Sequence, residues 1–112
     1  MKYIIAVDQS TSATKAILFN EQCQLIGRKN VAHKQYYPQA GWVEHDPEEI
    51  YNNTVKAIHE VLQLVKGDNV AYSLALTNQR ETVVVWNRHT GKPVYNAIVW
   101  QCQRGADICR DL

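Results

Sequence analysis

The sequence lacks the usual features of disulfide-linked, metal-binding and membrane-spanning proteins. Its three cysteines, Cys23, Cys102 and Cys109, include no Cys-x-x-Cys pair, so neither a disulfide framework nor a zinc knuckle is predicted. The four histidines never fall at the three- or four-residue spacing that places two metal ligands on one helix face. No apolar run approaches the roughly 18 residues that a membrane span requires. Sites and anchors of these kinds are therefore not expected.

The charge balance excludes a strong electrostatic field. Twelve basic and eleven acidic residues leave a formal net charge of +1, so no nucleic acid or anionic membrane surface is expected as a partner. The apolar run at the amino terminus ends at Asp8, too early for a signal peptide. With 112 residues, of which 46% are hydrophobic and 21% charged, the chain is predicted to be one soluble, cytoplasmic domain.

The first third of the chain is predicted to form three strands. Residues 3–7 are a continuous apolar run rich in β-branched types, which is typical of a central strand covered on both faces. Residues 16–19 and 24–33 follow as further strand candidates, separated by short polar segments. This pattern predicts an antiparallel meander of three strands.

A helix is predicted after the meander. Asp46 is a candidate N-cap, Pro47 suits the first helical position, and Glu49 is spaced to complete a capping box. The apolar residues at three- and four-residue steps predict a buried stripe that ends before Gly67, a candidate left-handed stop. The stripe consists of Tyr51, Val55, Ile58, Val61, Leu62 and Val65.

The rest of the chain is predicted to contain three strands and a final helix. The strands are expected at 70–76, 82–86 and 97–100, and helical spacing of apolar residues follows over 101–112. No glycine or proline stops that last segment, so the chain is expected to end inside a helix. Cys109 and Leu112 would then be poorly covered, and a homo-oligomer is an expectation.

The segment 8–15 carries a candidate phosphate site. It holds four hydroxyls, the carboxylate of Asp8 and the ammonium of Lys15. A turn between two strands can direct N–H groups and hydroxyls at phosphate oxygens, while a nearby carboxylate binds Mg²⁺. Neither of the two common glycine-based phosphate motifs is present. An ordinary polar turn is the alternative.

A second candidate site contains Arg80 and Glu81, with Trp100 at the end of a later strand. A guanidinium and a carboxylate can together satisfy the hydroxyls of a polyol, which both donate and accept, while an indole covers its carbon edge. The alternative is a structural Arg–Glu pair in a hairpin and a tryptophan in the core.

Three longer segments decide between these alternatives. AGWVEHDPEEI at 40–50, TNQRET at 77–82 and GKPVYNAIVWQC at 91–102 resemble the FGGY family of carbohydrate kinases, in particular members that act on glycerol. The resemblance implies an α/β fold of the RNase H-like, actin and hexokinase ATPase type, with a mixed sheet, a three-strand meander, a crossover helix and further strands. It also implies that residues 1–112 are the N-terminal part of the first kinase domain, with the remainder and the C-terminal domain absent.

The resemblance further implies site roles and cofactors. ATP and Mg²⁺ would be used, Asp8 would be the magnesium-associated carboxylate, and glycerol or a similar small polyol would be the substrate. The phosphate-binding residues would be Thr11, Ser12, Ala13 and Lys15, and the substrate-binding residues Arg80, Glu81 and Trp100. Two positions depart from the family pattern: Ser10 stands in place of a glycine and Lys15 in place of an arginine.

The implied reaction is phosphorylation of glycerol to glycerol 3-phosphate. The family's general base, an aspartate, is expected beyond Leu112, so the chain is predicted to contain no catalytic residue and to be inactive alone. Two alternatives stay open. One is an FGGY kinase for another polyol or ketose, such as xylulose or gluconate, and the other is a non-catalytic binding module of the same fold.

Overall fold

The computed structural model describes residues 1–68 and 70–112, and its main element is a four-stranded mixed sheet in the order β3-β2-β1-β5. The elements in chain order are β1 (Lys2–Gln9), β2 (Ala13–Asn20), β3 (Leu25–Ala32), β4 (Glu44–His45), α1 (Pro47–Leu62), β5 (Ala71–Thr77), β6 (Ala97–Ile98) and α2 (Ala106–Asp111).

The first three strands form the predicted antiparallel meander. Tyr3 lies opposite Asn20 in the β1–β2 pair, and Ala13 lies opposite Ala32 in the β2–β3 pair. β5 joins the other edge of β1 in parallel, with Lys2 opposite Ala71. A parallel neighbour requires a crossover connection, and α1 supplies it. The predicted mixed sheet with a crossover helix is therefore confirmed.

The helix α1 begins as predicted, except for the capping box. The Asp46 side chain accepts a hydrogen bond from the Glu48 backbone N–H at 2.9 Å, and Pro47 occupies the first turn. The carboxylate of Glu49 instead accepts from the Lys34 backbone N–H at 2.9 Å. Glu49 therefore ties the preceding loop to the helix rather than closing the helix on itself.

The buried face of α1 agrees with the predicted stripe at Val61, and Ile58, Leu62 and Val65 pack against the same core, but the first two positions of the stripe are not covered. Ala57 and Val61 are completely buried against the sheet, whereas Tyr51 and Val55 are exposed. The helix also ends at Leu62, and the chain continues in turns before Gly67 takes its left-handed conformation. Tyr51 and Val55 stay uncovered because the helix packs mainly on β2 and β3, which lie to one side of β1.

Only one face of β1 is covered by α1. Tyr3, Ile5 and Val7 are buried on that face, while Ile4 on the opposite face is 40% exposed. Leu74 lies beside Ile5 but beyond the reach of α1, and it is 60% exposed. The expectation of a strand covered on both faces is wrong for the described residues, because they place no second layer there.

The predicted strands at 82–86 and 97–100 form only short pairings. Val83 and Trp86 make single bridges to Ile98 and Pro93, and Pro93 has no N–H with which to continue a ladder. Residues 97–98 pair with β4 in a separate two-stranded sheet. The prediction of a full strand at 82–86 is therefore wrong.

The final helix is shorter than predicted. The backbone N–H of Cys102 donates to Val99 and that of Gln103 donates to Gly41, so this part of the chain bonds to the preceding loops. α2 begins only at Ala106, and Leu112 is fully exposed. In the described part of the chain, no helix combines the length and apolar character needed to cross a membrane.

Candidate functional site

The turn between β1 and β2 is closed by its own serine. Both the backbone N–H and the hydroxyl of Ser10 donate to the carbonyl of Ala13, at 3.0 and 2.8 Å. Ser10 does not require the left-handed conformation that a glycine would adopt freely, since the only described non-glycine residues with positive φ are Cys23 and Glu81. A serine thus fits the position where the family pattern has glycine.

Asp8 and Lys15 lie directly opposite each other in the β1–β2 pair, so their side chains share one face of the sheet. This is the face that α1 leaves open. A carboxylate and an ammonium therefore flank the turn on its accessible side. Between them, Ser12 is exposed, and the side chain of Ala13 is buried.

Arg80 and Glu81 occupy a turn that follows the end of β5. Glu81 has a φ of 67°, a left-handed conformation that costs a non-glycine residue about 1–2 kcal/mol. Both side chains are exposed toward solvent. Because β1 and β5 run in parallel, this turn and the β1–β2 turn lie at the same edge of the sheet.

Trp100 joins the two turns. Its indole Nε1–H donates to the Thr11 hydroxyl at 2.9 Å, and its backbone N–H donates to the Thr82 hydroxyl at 3.3 Å. One tryptophan thus contacts both the turn with the phosphate-site residues and the turn with the Arg–Glu pair. The two candidate sites of the sequence are therefore parts of one cleft.

The cleft has a volume of about 460 Å³. Its lining consists of Asp8, Ser10, Thr11, Asn78, Gln79, Arg80, Glu81 and Trp100. It unites Asp8 and Thr11 with the three predicted substrate-binding residues. Ser12, Ala13 and Lys15 are not part of the lining. A wider hollow of about 570 Å³ lies at the start of α1, but its lining lacks paired opposite charges.

Sequence reasoning missed two lining residues, Asn78 and Gln79, and also Thr82. Ser10 belongs to the predicted phosphate segment, and its hydroxyl closes the turn. Asn78 and Gln79 directly precede the Arg–Glu pair, and two consecutive side-chain amides at a strand end were the available signal. Nothing local to the sequence indicates their long-range partners.

A buried ion pair and its hydrogen bonds fix the chain segments on both sides of Trp100. Glu44 is 1% exposed, and its carboxylate accepts from Arg104 Nη2 at 2.5 Å, Tyr95 Oη at 2.8 Å and Asn96 Nδ2 at 3.1 Å. Burial alone would raise the pKa of Glu44, but these hydrogen bonds outweigh it and lower the pKa. The Arg104 guanidinium also lies 3.9 Å from the ring centre of Trp42.

Two buried histidines lie behind the cleft, with ring centres 6.0 Å apart. Burial lowers the pKa of His33, opposed by the nearby charge of Glu49, and burial together with His33 lowers the pKa of His45. Both rings are therefore neutral near pH 7. His33 binds Thr14 of β2 at 3.0 Å and His45 binds Gln79 at 3.1 Å, so the pair joins the sheet to the cleft.

Comparison with known proteins identifies the family. The N-terminal domain of the FGGY family of carbohydrate kinases matches residues 3–112. The chain belongs to this family. This FGGY domain is 54% identical over 112 residues to glycerol kinase 1 of Thermotoga maritima and 52% identical to glycerol kinase of Symbiobacterium thermophilum, in each case over 98% of the chain. It spans only 23% and 22% of those two relatives.

Solved structures show the same fold. Plasmodium falciparum glycerol kinase with ADP matches 99% of this FGGY domain with a TM-score of 0.89 and 38% identity, over 22% of its own chain. Gluconate kinase of Lactobacillus acidophilus matches 98% with a TM-score of 0.90 at 22% identity, over 22% of its chain. The second likeness supports the fold alone. The predicted actin and hexokinase type of fold is confirmed.

Proposed function

We propose that this chain is the part of an ATP-dependent glycerol kinase that binds glycerol and faces the phosphates of ATP, and that residues 1–112 form the N-terminal part of its first domain. One observation carries the proposal. Arg80, Glu81 and Trp100 share a cleft with Asp8 near the end of β1 and with Thr11 of the β1–β2 turn. An acceptor alcohol and a phosphate donor must meet in such a cleft for phosphoryl transfer. The high identity to proteins named glycerol kinase supports the choice of glycerol.

The residues of the cleft divide the work by their chemistry. The guanidinium of Arg80 donates to substrate hydroxyl oxygens, the carboxylate of Glu81 accepts from hydroxyl groups, and Trp100 covers the carbon edge. Losing a hydroxyl from the substrate would leave one of these charges unpaired, and this gives selectivity.

The first turn fits a metal-bound nucleotide. Mg²⁺ keeps several waters and commonly uses one or two carboxylates together with phosphates, and Asp8 offers one carboxylate at the cleft. Phosphate oxygens and water would complete the coordination of a magnesium ion held by this one carboxylate. Thr11, Ser12, the Ala13 backbone and Lys15 would face those phosphates. Bound magnesium would neutralise charge that develops on the transferred group.

The general base is expected in chain beyond residue 112, so the 112-residue chain alone should show no glycerol-dependent ATP turnover. We propose a cytoplasmic enzyme, as the sequence predicts. The self-association predicted from Cys109 and Leu112 stays a prediction.

The proposal is tested with the protein expressed from the complete gene that contains this chain. ATP consumption is measured with glycerol, xylulose and gluconate as acceptors, and glycerol is expected to give the highest kcat/KM. Faster turnover of xylulose or gluconate would overturn the substrate, and no acceptor-dependent turnover would favour a non-catalytic module.

Arg80→Ala provides the residue-level test. Removing a charged donor costs about 1.5–3 kcal/mol, so kcat/KM for glycerol should fall roughly 10- to 150-fold. Arg88→Ala, in the exposed turn at 88–90, is the matched control and should leave kcat/KM unchanged. Equal effects of the two substitutions would contradict the role given to Arg80.

A further inference from the structure

A chain of side-chain hydrogen bonds runs from the buried His45 to the backbone of Trp100. Gln79 Nε2 lies 3.1 Å from His45 Nδ1, and the Thr82 hydroxyl donates to Gln79 Oε1 at 3.1 Å. The Trp100 backbone N–H then donates to the same Thr82 hydroxyl at 3.3 Å. We call His45, Gln79 and Thr82 the relay. Its members Gln79 and Thr82 bracket the Arg–Glu pair in the sequence.

Each group of the relay has one consistent hydrogen-bonding role. The Gln79 amide oxygen accepts from Thr82, so its amide nitrogen is the group that donates to His45 Nδ1. His45 must then carry its proton on Nε2, which is buried and has no hydrogen-bond partner among the described residues. A lone buried donor of this kind costs about 1–3 kcal/mol. The neutral imidazole of His45 therefore accepts a hydrogen bond from Gln79 while its own Nε2–H remains without an acceptor.

The turn that the relay brackets has little other support. β5 ends at Thr77, so the sheet ladder does not hold residues 80 and 81. Glu81 has the left-handed φ of 67°, and such a conformation persists only where the surroundings impose it. Gln79 is 8% exposed and His45 is fully buried, so the relay attaches an exposed turn to a rigid part of the molecule.

We propose that Gln79 and Thr82, anchored on His45, are positioning residues that hold Arg80, Glu81 and Trp100 as one polyol-binding unit. The inference rests on the proposed function. The Thr82 hydroxyl is the member that links Trp100 to the rest of the relay, since it accepts from the Trp100 backbone and donates to Gln79. None of the three relay side chains needs to touch the substrate for this role.

The test compares Thr82→Val with Thr82→Ser in the complete protein. Valine keeps the shape of threonine but loses the hydroxyl, and serine retains the hydroxyl. For the best acceptor among glycerol, xylulose and gluconate, Thr82→Val should raise KM about five- to tenfold while the KM for ATP stays the same. Thr82→Ser should keep the acceptor KM within about twofold of wild type. Thr90→Val, in the exposed turn at 88–90, is the matched control.

Hydrogen–deuterium exchange provides a readout that does not depend on turnover. The Trp100 backbone N–H should exchange faster in Thr82→Val and at the wild-type rate in Thr82→Ser. An unchanged acceptor KM or unchanged Trp100 exchange in Thr82→Val would overturn the proposal, as would a serine variant that behaves like valine. If the wild type turns over none of the acceptors, the proposed function fails, and Trp100 exchange alone then decides whether the relay holds this unit.

Discussion

Glu44 is a residue at which one isosteric substitution should strongly lower the stability of the chain. Its carboxylate is 1% exposed and receives three hydrogen bonds, from Arg104, Tyr95 and Asn96. Glu44→Gln keeps the shape but replaces one oxygen with an NH₂ group. That group must face one of the three donors, and Arg104 loses its counter-charge. Two unfavourable changes therefore arise from one atom.

The size of the effect follows from burial. Breaking a buried ion pair costs about 3–5 kcal/mol because the remaining charge is left uncompensated. The Arg104 side chain is 20% exposed, so water recovers part of this cost and about 3 kcal/mol is the appropriate value. With an unfolding entropy of about 2.1 cal/mol/K per residue, the thermal midpoint of the 112-residue chain should fall by roughly 10–13 °C.

Thermal unfolding of the chain followed by circular dichroism measures this midpoint. Asp107→Asn is the matched control, because the Arg110–Asp107 pair is exposed on both sides and should contribute little. Adding Arg104→Gln to Glu44→Gln should recover part of the loss, since no unpaired charge then remains. A midpoint in Glu44→Gln within about 3 °C of wild type would refute the reasoning.

Two further predictions concern the histidine pair and the tryptophan. Because the pKa values of His33 and His45 lie below their usual 6.5, the unfolded chain takes up more protons than the native chain as the pH falls through 6.5. As the pH falls below 6.5, the free energy of unfolding should decrease by about 1.4 kcal/mol per pH unit for each histidine until the native rings protonate. Urea unfolding at several pH values measures this, and equal free energies of unfolding above and below pH 6.5 would contradict it. Trp100→Phe keeps an aromatic wall but removes the N–H that binds Thr11, so KM for both polyol and ATP should rise about fivefold. Trp86→Phe, at an exposed position, is the control, and equal kinetics of the two variants would count against a coupling of the two turns.

The sequence predicted the local parts of the fold well. The meander follows from apolar runs with short gaps, and the start of α1 follows from Asp46 and Pro47, whose effects act within one turn of helix. These features depend on residues close together in the chain. They could therefore be recognised without knowledge of the tertiary structure.

The parts that failed depend on distant partners. Residues 82–86 have strand composition, yet the neighbouring segments offer only single bridges, at Val83 and Trp86. Glu49 has capping-box spacing, but the Lys34 backbone competes for its carboxylate. In the same way, Gln79 could be seen beside Arg80, whereas its bond to His45 joins residues far apart in sequence.

The parallel position of β5 has a kinetic consequence for assembly of the sheet. Two consecutive hairpins join β1, β2 and β3. Their contacts therefore form across short loops, which close quickly and at low entropic cost. β5 reaches β1 only after the whole of α1 has been placed, so this pairing closes a much longer loop. The β1–β2 turn of the cleft can therefore form early in folding. The turn that carries Arg80 and Glu81 can take its place only after β5 has paired with β1.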